Sequence, residues 1–483
     1  MKDGSAAPAF EAVFAGAVEG ASLPWAGAEV PRPEVVLLNE ALAEALGFDP
    51  EALRRPEAAA WLCGAEPPPG AHPVAMAYAG HQFGQFNPQL GDGRALLLGE
   101  IATEAGLRDL HLKGSGPTPF SRRGDGKAVL GPVLREYVLG EAMAALGVPT
   151  TRALAVTTTG EDVMREGRKP GAVLARVAAS HIRVGSFQFF AARRQHDILK
   201  ALADHAIARH DPDLTGEDRY ERFLARVVER QAELIAAWMA LGFIHGVMNT
   251  DNMAVSGETI DYGPCAFMEA YDPAAVFSSI DHAGRYAYGN QPGIAQWNLA
   301  RLAEALLPLM GGDESIPAAT EIVSGFAGLY EAAWLRRFRA KLGLERAEEG
   351  DMDLVTGLLA MARGQADFTS LFRALGVAAG GDPAPAHALF ADPGAFDAWL
   401  PAWEARLAQE APGAAERMAA VNPIYLPRNL PLDAALTAAE AGDLAPIRRV
   451  LGIVAAPFTR QEGAEDLAAP APAGTPFVTY CGT

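Results

Sequence analysis

Between Leu241 and Pro264 the chain reads LGFIHGVMNTDNMAVSGETIDYGP, and four of its side chains carry groups that can do chemistry together. His245 stands seven residues before Asn252, Asp251 immediately precedes that asparagine, and Asp261 follows in Asp261-Tyr262-Gly263. An amide oxygen and a carboxylate are hard donors suited to one magnesium ion, and a further carboxylate beside them can accept a proton. Asn and Asp are also the residues that turns select, so NTDN alone reads more readily as a turn. His245 and Asp261-Tyr262-Gly263, in order around it, shift the balance towards a site.

The elements before this stretch must position its partners. Leu110-His111-Leu112-Lys113 alternates apolar and polar side chains and runs into Gly114-Ser115-Gly116, so Lys113 is expected at a strand end beside a flexible loop. The helix predicted over Pro132 to Leu146 opens on Pro, stops at Gly147 ahead of Pro149, and gathers Val133, Leu134, Tyr137, Val138 and Ala142 on one face. Glu136 lies at the edge of that face, where it can pair with Lys113. Gly91-Asp92-Gly93-Arg94 turns into the apolar run Ala95 to Glu100, and Ser121 to Lys127 is a basic loop punctuated by Gly124 and Gly126. Both can bring backbone amides to a phosphate, and both also suit an ordinary hairpin turn or a solvated loop.

Two further strands, Ala153 to Thr157 and Ala172 to Val177, bring Arg176 to a strand end, with Arg183 seven residues on. Guanidinium forks match phosphate oxygens. Apolar spacings of three and four predict a long helix over Asp218 to Leu241, which delivers the chain to His245. After the loop, Met253 to Val255 and Thr259 to Asp261 are expected to pair as a hairpin around Ser256-Gly257, setting Asn252 and Asp261 at its open end.

At 483 residues the chain is long for one core, and half of it is hydrophobic. A formal net charge of −19 argues against a nucleic-acid backbone or an anionic membrane as the main partner, so an anionic ligand must be met by a local basic cluster. No apolar run reaches the ~18 residues a membrane span needs, and Met1 to Ser5 does not open a signal peptide; a soluble cytoplasmic protein is expected. Cys63, Cys265 and Cys481 are too few and too scattered for a disulfide framework or a zinc site.

The loop resembles that of protein kinases, His-x-Asp-x-x-x-x-Asn followed by Asp-Phe-Gly. In that frame Val247 takes the place of the catalytic Asp and can neither accept a proton nor orient a hydroxyl. Asp251 is available from another direction, so the frame suits a different nucleotide transfer. Taken in order, His81-Gln82-Phe83-Gly84, Lys113-Gly114-Ser115-Gly116, the basic glycine loop, Ser180-His181-Ile182-Arg183, the His245 to Met253 stretch, Asp261-Tyr262-Gly263-Pro264, Gly289-Asn290-Gln291-Pro292, Asn422-Pro423 and Arg428-Asn429 resemble the selenoprotein O (YdiU) family.

Members of that family are kinase-fold proteins that transfer AMP to protein hydroxyls. The resemblance implies an α+β, bilobal, protein-kinase-like fold: an N-terminal extension (1–75), a β-rich nucleotide-binding lobe (76–190), a larger helical lobe with the catalytic loop and metal site (191–461) and a mobile tail (462–483). It implies ATP bound in reverse, its α-phosphate next to the attacking hydroxyl. Gly91, Gly93, Arg94, Lys113, Asp125, Gly126, Arg176, Arg183 and Asp261 would lie at the nucleotide, with Glu136 paired to Lys113. Asn252 and Asp261 would hold Mg2+ or Mn2+, and Asp251 would take the proton. The partners would be proteins bearing Ser, Thr or Tyr hydroxyls, with no nucleic acid and no membrane.

Cys481 resembles the family's selenocysteine or cysteine, which in some relatives bonds to a cysteine after the Asp-Tyr-Gly; Cys265 is the cysteine of that segment here. Two other classes stay open: a phosphotransferase with Asp251 as a displaced base, and a nucleotide-binding pseudokinase scaffold. The intact set of Lys113, Glu136, Asn252 and Asp261 argues against pure scaffolding.

Overall fold

A computed structural model describes residues 8–472 and 474–480. The chain is α+β, its strands concentrated before residue 180 and its helices after. The strands are β1 (Phe10–Glu11), β2 (Ser22–Pro24), β3 (Glu34–Leu38), β4 (Val74–Met76), β5 (Gly80–Gln82), β6 (Gln85–Asn87), β7 (Ala95–Thr103), β8 (Gly106–Lys113), β9 (Ala128–Val129), β10 (Arg152–Met164) and β11 (Arg168–Ala178). Nine of them form one sheet in the order β2-β4-β7-β8-β11-β10-β3, with β1 on β7 and β9 on β11. Every pairing in it is antiparallel, and strands from the first 76 residues are integral to it.

Alternation along the strands decides what each face does. Leu110 and Leu112 of β8, with Val173, Ala175 and Val177 of β11, pack against Phe10, Phe48 and Trp61 on one face. His111, Lys113 and Arg176 point to the other, where a cleft opens. The register sets Arg176 opposite His111 and Leu174 opposite Lys113. The first face is covered by short helices, of which Glu40–Ala45 is capped by the Asn39 side chain and ended by Gly47 at φ +84°.

The helix that carries Glu136 runs Leu130–Ala145, two residues ahead of its expected start. Pro132 sits inside the first turn, where N–H groups have no intrahelical acceptor, so it does not set the boundary. The long buried helix Arg219–Leu241 ends at Gly242 in the left-handed conformation, φ +70°. It feeds β12 (Phe243–Ile244), which pairs with β13 (Ala266–Phe267), and the two strands bracket residues 245–265 between them.

The expected hairpin over Met253 to Asp261 does not form. Ala254 bridges to Arg183 and Thr259 to Thr150, while the N–H groups of Val255 and Thr259 bond to Ile182 and Pro149. Each arm finds its backbone partners in the neighbouring loops, and only the turn at Gly257, φ +81°, survives.

The remaining helices are tied to β13 by buried polar anchors. Arg428 holds Asp367 at 2.7 and 2.8 Å and Glu269 at 3.0 Å, and Asn429 donates to the Phe267 carbonyl at 2.9 Å. The tail is docked where mobility was expected: Leu467 is buried within a short helix Glu465–Ala468, and Thr479 is buried with its hydroxyl donating to the Pro264 carbonyl. Its Ala and Pro content lowered the apparent packing capacity, but a few buried contacts suffice. Cys481 lies outside the described residues. Among those residues, no helix is long and apolar enough to cross a membrane.

Candidate active site

Gly91, Gly93, Arg94, Lys113, Asp125, Gly126, Glu136, Arg176, Arg183, Asp251, Asn252 and Asp261 all line one cavity of about 850 Å3. Asp261 is its electrostatic centre. Its Oδ1 accepts from Lys113 and from Arg176, each at 2.7 Å, and its Oδ2 accepts from Arg183 at 2.8 Å. Glu136 accepts from Lys113 at 2.6 Å and from Arg176 at 2.9 Å, so the expected Lys113–Glu136 ion pair is present inside a larger network. Burial alone raises a carboxylate's pKa, but Lys113, Arg176 and Arg183 outweigh it and hold Asp261 well below the usual range. Glu136 is lowered against its burial by Lys113 and Arg176. Three cations facing two carboxylates leave buried positive charge that a polyphosphate can neutralise. Asp261 itself sits at φ +62°, a left-handed conformation that a side chain disfavours by roughly 1–2 kcal/mol, and so aims its carboxylate at the cations.

Arg176 is held from behind by two stacked histidines whose ring centroids are 4.2 Å apart. Its Nε donates to His181 Nε2 at 3.2 Å and a terminal nitrogen donates to His111 Nδ1 at 3.3 Å. Because guanidinium only donates, those ring nitrogens accept and the protons lie on the opposite sides. There His111 Nε2 meets Asp92 Oδ2 at 3.1 Å and His181 Nδ1 meets Asp109 Oδ2 at 3.0 Å. Both imidazoles are driven towards the neutral form, His111 by burial and His181 by burial together with His111 and Arg176. None of these four residues was singled out from sequence for this part, although the alternation of β8 already put His111 on the face of Lys113.

Asp251 lies in the 3-10 turn Thr250–Asn252, which is pinned from several sides. Its Oδ2 accepts from Gln82 at 3.2 Å, and Arg183 donates to its backbone carbonyl at 2.7 Å. His81 N–H bonds to Thr250 Oγ1 at 2.7 Å and Phe83 N–H to Asn249 Oδ1 at 3.2 Å, so the His81-Gln82-Phe83 segment docks on the turn. The other carboxylate oxygen, Oδ1, is buried without any partner. Burial pushes Asp251 up to about 6, with Arg183 pulling the other way. Val247, at the kinase base position, is buried, and its carbonyl accepts from the Asn252 amide at 2.9 Å. His245 is a strut: its Nε2 donates to the Ile260 carbonyl at 2.9 Å and its backbone N–H donates to Gln291 at 3.0 Å.

Among the described residues no group of three or more His, Cys, Asp and Glu is placed to hold a metal. The Asn252 amide oxygen and the Asp261 carboxylate are oxygen donors of the kind a divalent cation takes, but in this arrangement both Asp261 oxygens are engaged by Lys113, Arg176 and Arg183. The loops that face them are shaped by glycine. A Cβ on Gly91 would lie 2.3 Å from the Phe120 ring and one on Gly126 would lie 2.2 Å from the Gly116 backbone. Asp125 is engaged in a two-pronged pair with Arg165 at 2.8 and 3.0 Å, whereas Arg94 has no carboxylate within ion-pair distance among the described residues. Cys265 is fully buried, and burial pushes its thiol up to about 12.

Buried cations, a carboxylate with a free oxygen and glycine-shaped loops in one cleft define a nucleotide-handling enzyme of α+β architecture. Residues 11–454 match the family described as protein adenylyltransferase SelO. A protein of Cereibacter sphaeroides named protein nucleotidyltransferase YdiU is 58% identical over 482 residues, covering 98% of this chain and 99% of its own. Proteins of the same name from Methylorubrum extorquens and Bradyrhizobium diazoefficiens are 56% and 57% identical, each over 94% of this chain and 95% of its own. The chain belongs to the SelO family, and its class is that of the nucleotidyltransferases.

Proposed function

We infer that the cleft transfers AMP from ATP to Ser, Thr or Tyr hydroxyls of proteins, within a bilobal, kinase-like arrangement of the sheet and the later helices. The observation that carries this reading is Asp251: the acid immediately before Asn252 has a buried, unpartnered oxygen, while Val247 closes the position a kinase would use. Lys113, Arg176 and Arg183 bind the polyphosphate, with Glu136 holding the first two in place. Gly91, Gly93 and Gly126 let backbone approach the nucleotide, and Arg94 adds a cation free to meet it. Asn252 and Asp261 would hold Mg2+ or Mn2+, which would supply neutralisation of charge on the phosphates.

In the transfer, the acceptor hydroxyl passes its proton to Asp251, its oxygen bonds to the α-phosphorus, and the bond from that phosphorus to the departing pyrophosphate breaks. Arg183, which holds both the Asp251 backbone and Asp261, fixes the base relative to the phosphate site. Asp251→Asn should lower transfer by about 100-fold or more, the range of a positioned general base, with the affinity for ATP unchanged. Undiminished transfer by that variant would remove Asp251 from the role.

A further inference from the structure

The segment 475–480 returns to the cleft and lies along the backbone at Phe277–Ser279. The Thr479 N–H donates to the Phe277 carbonyl at 2.8 Å, and the Ser279 N–H donates to the Thr479 carbonyl at 2.9 Å. These bonds make a parallel bridge between Ser278 and Thr479. The Thr479 hydroxyl donates to the Pro264 carbonyl at 2.7 Å, three residues beyond Asp261, and the Phe477 ring lies 6.3 Å from that of Phe277. Phe477, Val478, Thr479 and Tyr480 line the same cavity as Asp251 and Asp261.

This docking has the form by which an enzyme holds an extended peptide of unspecified sequence. Main-chain bonds carry the contact, one side chain is buried, and its neighbours point outwards. Thr479 is 5% exposed, whereas Val478 and Tyr480 are 47% and 69% exposed. The buried position is taken by a hydroxyl residue and a second hydroxyl follows it, in a cleft read as acting on hydroxyls. The contacts are few, so a competing strand can displace the segment.

We propose that the Phe277–Ser279 backbone is the docking edge for an extended, hydroxyl-bearing segment of a protein substrate, and that residues 475–480 occupy this edge in cis as an internal competitor. The identity of the partner rests on the AMP-transfer reading; the edge itself rests on the strand geometry. Tail and substrate then compete for one backbone edge, which is distinct from the Lys113, Arg176 and Arg183 side chains.

The probe is a fluorescent peptide of residues 475–480, tested by anisotropy on a protein ending at Gly474 and on the full chain. The shortened protein should bind the peptide at least fivefold more tightly. In transfer to β-casein it should show a severalfold lower KM for casein with an unchanged KM for ATP, and the peptide should compete with casein and not with ATP. Thr479→Pro in the full chain, which removes the N–H that bonds to Phe277, should reproduce the lower casein KM and guards against a shortened protein that fails to fold. No peptide binding by a folded, ATP-binding shortened protein, or an unchanged casein KM in both variants, overturns the docking edge. Peptide binding without AMP transfer to any protein sustains the edge and overturns the AMP-transfer reading instead.

Discussion

The surroundings of Arg176 show how much of a phosphate-facing side chain is decided by the residues packed behind it. Its donors are divided between two carboxylates in front and two neutral imidazoles behind, each imidazole fixed by its own buried aspartate. Replacing His181 by Leu leaves the Nε donor buried without an acceptor, a loss of about 1–3 kcal/mol. The KM for ATP should then rise roughly tenfold or more, while His181→Gln, which restores an acceptor, should recover most of it; equal defects in both variants would show that the hydrogen bond is not what matters.

The same pair has a pH signature. Burial holds the folded His181 well below 6.5, so on acidification the unfolded chain takes up a proton that the folded chain refuses. The contribution to stability is complete above about pH 6.5, and below that value it is lost progressively until the pH reaches the depressed folded pKa. Urea midpoints at pH 7.5 and 5.5 should therefore drop less for His181→Gln than for the parent protein.

Among the elements, the Thr250–Asn252 turn is positioned by how closely two backbones approach it. A Cβ on Gly80, in β5, would stand 2.5 Å from Asp251 Oδ1, and one on Gly185, at the start of helix Val184–Ala192, would stand 2.1 Å from the Ala79 carbonyl. Gly185→Ala meets rigid backbone and should destabilise the fold by about 1–3 kcal/mol in urea unfolding. Gly80→Ala meets a side chain that can swing aside; it should lower kcat with little change in ATP affinity or melting temperature.

These approaches also explain what could be read from the sequence. Helices announced themselves through local signals, Pro132 and Gly147 at one and apolar spacing over Asp218 to Leu241 at another, whereas the register that sets Lys113 and Arg176 on one face is visible only in the structure. The arms at Met253–Asp261 had the pattern of a hairpin, but strand pattern does not say which backbone a segment pairs with. Gln82, Asp92, His111 and His181 act through partners between 5 and 169 positions away, and no local spacing marks such contacts.

Across the whole molecule, charge is distributed against the average. A chain of net charge −19 gathers Lys113, Arg176, Arg183 and Arg94 in one cavity, so repulsion of a polyanion by the chain as a whole is opposed locally by these cations. Because long-range repulsion is screened while buried contacts are less so, moderate salt should leave ATP affinity nearly level, and Arg183→Met should weaken it at every ionic strength. A titration from 50 to 500 mM NaCl that abolished ATP binding would place the cations at the surface instead.

The reading of this molecule as an AMP transferase turns on which phosphate faces the acceptor. The purified protein, supplied with Mg2+ and with ATP labelled in parallel on the α- or the γ-phosphate, should retain α-label on protein and no γ-label, and Asp251→Asn should retain neither. Retention of γ-label alone would make it a kinase with a displaced base, and ATP binding without retention of either label would make it a scaffold.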